Sequence, residues 1–194
     1  MPIHFNVLIQ VASNINKIKD FIEGKELIDA LSILGGNAVE SARFAMQMSQ
    51  KAYNKEAEVG RIISHLQDAH VAYRAIWKKY SPFYLDEFYA WTKTATLDFA
   101  VDKDIYVLCL MTLCYVYLNE FQLARECISL ARDAVYALLF LSGEKVPGRG
   151  LVTEPSKMFS ALKAGYLTKD LYYNNLDIFA KEIENVIRLH EKPC

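Results

Sequence analysis

The sequence predicts an all-α protein of stacked antiparallel helical hairpins, about nine helices with no strand. Three observations carry that expectation. Eight glycines and five prolines are few for 194 residues, which favours long helices over frequent turns. Apolar residues recur at steps of three and four through most of the chain, the period of one helix face. Capping signals punctuate those runs: Asn37 has Glu40 three residues on, and Ser81 stands before Pro82.

A first helix is expected from Asn6 to Glu23, with Leu8, Val11, Ile15, Ile18 and Ile22 inward and Asn14, Lys17 and Asp20 outward. Gly24 stops it. Lys25 to Leu34 forms a short second helix, ended at Gly35-Gly36, where a glycine can take the left-handed C-terminal cap. Asn37 caps a third, running to Ala52. Asn54 caps a fourth, which reaches Tyr80 with Val59, Ile62, Leu66, Ala69, Tyr73, Ile76 and Tyr80 inward. Ser81-Pro82, with Asp86 and Glu87 close behind, opens a fifth that extends to Ala100.

The chain is organised around the next pair. Ile105 to Leu118 carries no formal charge. As a helix these residues would reach roughly 21 Å, short of the ~30 Å core of a bilayer, so the run reads as a helix buried in protein. After Asn119-Glu120, the stretch Phe121 to Ser142 sets a polar stripe of Arg125, Glu126, Ser129, Arg132 and Asp133 opposite Leu123, Ile128, Val135 and Leu138. A tight turn between the two helices makes them antiparallel neighbours. Ser142 to Pro155 follows neither period and is either a functional loop or a connection between two packing units. Pro155 to Ala164 and Lys169 to Glu191 complete the helices, the last with Leu171, Leu176, Phe179, Ile183, Val186 and Ile187 inward.

Leu108, Met111, Thr112, Tyr115, Asn119, Phe121, Ala124, Ile128 and Ala131 together resemble one tetratricopeptide (TPR) repeat, in which large residues fill the groove between two helices and alanines let the backbones approach. Three features depart from the pattern. Thr112 stands where glycine or alanine is usual, Asn119 where glycine is common, and no proline closes the repeat. The resemblance implies a TPR-like superhelix whose concave surface binds a protein or peptide.

Composition narrows the function classes. Hydrophobic residues at 53%, charged residues at 23% and a net charge of −1 argue against disorder and against a nucleic-acid binder with a broadly basic surface. One domain over residues 1–194 is expected, with a sub-unit break at 142–155 as the alternative. Cys109 and Cys114 sit five apart on one helix and no CxxC occurs, so reduced buried thiols are expected rather than a disulfide or a metal site. The chain opens on MPIHFNVLIQVASNINK, without a positive stretch before its apolar run, so a cytoplasmic protein is expected. No cofactor and no membrane partner are expected. The apolar share is compatible with a homo-oligomer.

Three groups of residues are candidates for function. The loop residues Gly143 to Gly150 are only superficially similar to a phosphate-binding loop: Arg149 and Gly150 stand where lysine and a hydroxyl are needed. Lys145 and Arg149 remain as contacts for an acidic peptide or phosphate, or as solvated charges. On the fourth helix Glu58, Arg61, His65 and Asp68 share one face, either a polar site for a small enzyme or ligand sensor or a solvated row of charge pairs. The aromatics Tyr73, Trp77, Tyr80, Tyr84, Phe88 and Trp91 crowd the junction of the fourth and fifth helices, as core or as the wall of a groove. The favoured reading is a non-catalytic scaffold or adaptor that docks its partner on Tyr84, Phe88, Trp91, Arg125, Arg132, Lys145 and Arg149.

Overall fold

Every described element is a helix, as the apolar periodicity requires. The computed structural model describes residues 2–34, 55–79, 103–141 and 175–191, in which there are seven helices and no strand. The expected helices at Asn37 to Ala52, Pro82 to Ala100 and Pro155 to Ala164, and the loop from Ser142 to Pro155, lie outside the described residues.

Helix α1 spans Pro2–Ala12 and α2 spans Ile15–Glu23, which corrects the expectation of one continuous helix from Asn6 to Glu23. Asn14 makes the break. Its backbone is extended (φ −156°, ψ 137°), and its side-chain oxygen accepts a hydrogen bond from the Asn16 amide at 2.8 Å. Its carbonyl accepts the first helical bond of α2, from Ile18 at 3.0 Å. Ser13 helps close α1 by donating to the Gln10 carbonyl at 2.7 Å. Short polar side chains that bond the local backbone favour caps over helix interiors, and here two adjacent ones act together. The apolar face still crosses the break, because Leu8, Ala12, Ile18 and Ile22 are all buried. Gly24 then ends α2 in extended backbone, where a Cβ would stand 2.7 Å from the Asp20 carbonyl oxygen.

Helix α3 is Glu26–Leu34, with Glu26 and Asp29 in its first turn, where carboxylates complement the helix dipole. Helix α4 is Lys55–Lys79. It buries Val59, Ile62, Leu66 and Ala69 as the spacing predicts, and Ile63 besides. Helix α5 covers 103–117. Its side chains from Lys103 to Val116 are buried on every side, the arrangement expected of a helix with no polar face. Among the described residues no helix is long and apolar enough to cross a membrane.

The turn out of α5 is a left-handed cap. Asn119 has φ 61°, the Glu120 amide donates to the Tyr115 carbonyl at 2.9 Å, and the Asn119 amide donates to Val116 at 3.1 Å. These two bonds form a Schellman motif, and asparagine is among the few residues other than glycine that enter this conformation readily. Helix α6, Phe121–Leu141, starts at once, as the Ala124 amide donates to Glu120 at 3.1 Å. Ala124, Cys127, Ile128, Ala131 and Ala134 face the core. Leu123, expected inward, is 38% exposed, because it lies a further 100° round the helix from Ala124.

Helix α7, Asn175–Glu191, buries Leu176, Phe179, Ala180, Ile183, Val186 and Ile187. It packs against α6 and also against α1, where the rings of Phe5 and Phe179 lie 6.3 Å apart, tilted by 59°. The first and last helices of the chain are therefore neighbours. One core cluster draws residues from all seven helices.

Candidate functional site

Of the residues expected to bind a partner, Arg125 and Arg132 are described. Tyr84, Phe88, Trp91, Lys145 and Arg149 lie outside the described residues. Arg125 and Arg132 fall two turns apart on α6 and both turn toward α7. Arg125 bridges two carboxylates there. Its Nε and Nη2 donate to Glu184 at 3.0 and 3.2 Å, while Nη1 and Nη2 donate to Glu191 at 3.0 and 2.9 Å. Glu184 and Glu191 stand two turns apart on one face of α7, so a single planar guanidinium can reach both. Arg188 adds a bond to Glu184 at 3.1 Å, and Arg132 reaches Asp177 at 3.5 Å, where Lys181 also binds at 2.8 Å.

The electrostatics follow from these pairs. The Arg125 guanidinium is held more firmly protonated than usual by Glu191 and Glu184. Arg125 first, and then Arg188, holds the Glu184 carboxyl below its ordinary range; Arg125 does the same for Glu191. Asp177 is lowered by Lys181 and then Arg132. Arg125 is thus engaged within the chain. The Arg132 side chain is 45% exposed and its ion pair is the longer one, so it retains capacity for another acceptor.

The polar face of α4 is not a single surface. Glu58 is buried and pairs with Lys55 at 3.5 Å, His65 is half-buried, and Arg61 and Asp68 are exposed. Glu58 follows Lys55 by three residues and adjoins Val59, which draws it inward while the rest of the row points out.

A different pair on α4 is the one that meets the core. His70 Nδ1 and Asp104 Oδ1 share a hydrogen bond at 2.5 Å, with the histidine side chain 11% exposed and the carboxylate fully buried. Beside it the Gln67 side chain donates to the Tyr115 hydroxyl at 2.9 Å. Burial, and then the charge of Asp104, raises the Tyr73 phenol. The Nε of Arg74 is buried with no hydrogen-bond partner among the described residues. The sequence carries a signal for this node. Val59, Ile63, Leu66, His70 and Tyr73 follow one another at alternating steps of four and three, so His70 continues a core-facing stripe.

An imidazole held by a buried carboxylate is the orienting half of a nucleophile-histidine-aspartate arrangement. Among the described residues the thiols supply no nucleophile for it. Cys109, Cys114 and Cys127 are free and buried; burial pushes the Cys109 thiol far up and the Cys114 and Cys127 thiols to about 12, so all three remain protonated at neutral pH. Thr112, also buried, donates its hydroxyl to the Leu108 carbonyl at 2.8 Å. Among the described residues no group of His, Cys, Asp or Glu is placed to hold a metal ion. A scan against protein-family models, a search of curated proteins and a search of solved structures each found no match to this chain.

Proposed function

We propose that this chain is a non-catalytic helical scaffold that binds a protein or peptide partner. The observation that carries the reading is the α5–α6 hairpin. Asn119 adopts φ 61° at the position where the TPR repeat commonly has glycine, and Ala124 and Ala131 are fully buried where that repeat brings two helices together. Thr112 fits its small-residue position by turning its hydroxyl back onto the helix, so no polar group is left without a partner there. A hairpin of this kind, stacked on others into a TPR-like superhelix, presents side chains on a shared surface, and specificity lies in those side chains. Arg132 supplies the exposed cation on α6, whereas Arg125 acts by fixing α7 in place. Tyr84, Phe88, Trp91, Lys145 and Arg149 complete the proposed docking surface and favour an acidic, aromatic-bearing peptide. The protonated buried thiols fit a reducing compartment such as the cytoplasm.

Panning a random peptide library on the purified chain tests this. Enriched peptides should bind the wild type and lose about tenfold or more in affinity against the Tyr84→Ala, Arg132→Ala double variant. Peptides that bind both proteins equally, or no enrichment at all, would remove the assignment.

A second reading, a small enzyme or ligand sensor, is favoured by the His70–Asp104 pair. It predicts that His70→Ala abolishes a ligand-induced thermal shift while leaving the melting temperature of the free protein unchanged. A purely structural pair predicts a lower melting temperature instead.

A further inference from the structure

We draw no further inference here: the strongest candidate, the half-buried Arg74 guanidinium one turn beyond His70 on α4, belongs to the His70–Asp104 site already described, and its Nε is closed off from solvent, so nothing in the structure shows a ligand that could reach it.

Discussion

Helix α6 meets α5 through an apolar seam and α7 through a row of ion pairs. On the first side Ala124, Ala131 and Cys127 are buried, and Cys127 lies near Cys109 and Cys114 of α5. On the second, Arg125 and Arg132 bind carboxylates whose side chains are a third or more exposed. Burial of a leucine or isoleucine is worth about 1.5 to 3 kcal/mol, while a solvent-exposed ion pair contributes under about 1 kcal/mol. The apolar side therefore holds the fold together, and the ionic side sets where and at what rotation α7 rests. Buried apolar contacts tolerate sliding better than a guanidinium bound to two carboxylates does.

The largest test of that division is a truncation within α5. Leu110→Ala, at a fully buried site, should lower unfolding free energy by about 3 kcal/mol in a urea titration. A loss of only a few tenths would mean that α5 is not enclosed. His70→Ala should come next. It removes one hydrogen bond from a carboxylate that is fully buried, at a cost of about 2 kcal/mol, whereas Leu110→Ala leaves a cavity and no polar debt. A stability equal to wild type would reassign His70 to function.

Asn119→Val should cost about 1 to 2 kcal/mol, because a β-branched residue is strained at φ 61°, and Asn119→Gly should be close to neutral. Both are read from denaturation midpoints. The smallest effect belongs to the ionic side: Arg125→Ala should forfeit less than about 1 kcal/mol through the lost Glu184 pair, and less still in high salt. Its pH dependence has a definite sign. The folded-state carboxyls of Glu184 and Glu191 lie below their ordinary value of 4.5, so the stability they confer is present above about 4.5 and is lost as the pH falls through the lower folded-state values. The gap between wild type and Arg125→Ala should close on acidification through that window. A gap that widened instead would contradict the pairing.

What could be read in advance divides along the same line. Helix α5 was legible because an uncharged run too short for a membrane has few places to go except an interior. The inward rows of α4 and α7 were legible from spacing alone. The interruption at Ser13-Asn14 was not, because the apolar stripe runs through it unbroken and only the local bonds of two short polar side chains show where α1 ends. The contacts of Arg125 span 59 and 66 residues and depend on how α7 returns to α6, which no local pattern encodes. His70 was not legible as a polar node, because its partner Asp104 lies 34 residues away on another helix. A buried hydrogen-bonded pair is a polar interruption of an apolar stripe, matched by another on a helix distant in sequence.

Hydrogen exchange of the native chain tests the enclosure of α5 most directly. The amides of Ile105 to Val116 should exchange only through global unfolding, with protection equal to the free energy obtained from denaturant, and more slowly than those in the last turns of α7. Exchange of α5 at the rate of those outer turns, well before the molecule unfolds, would show that the central helix is not enclosed.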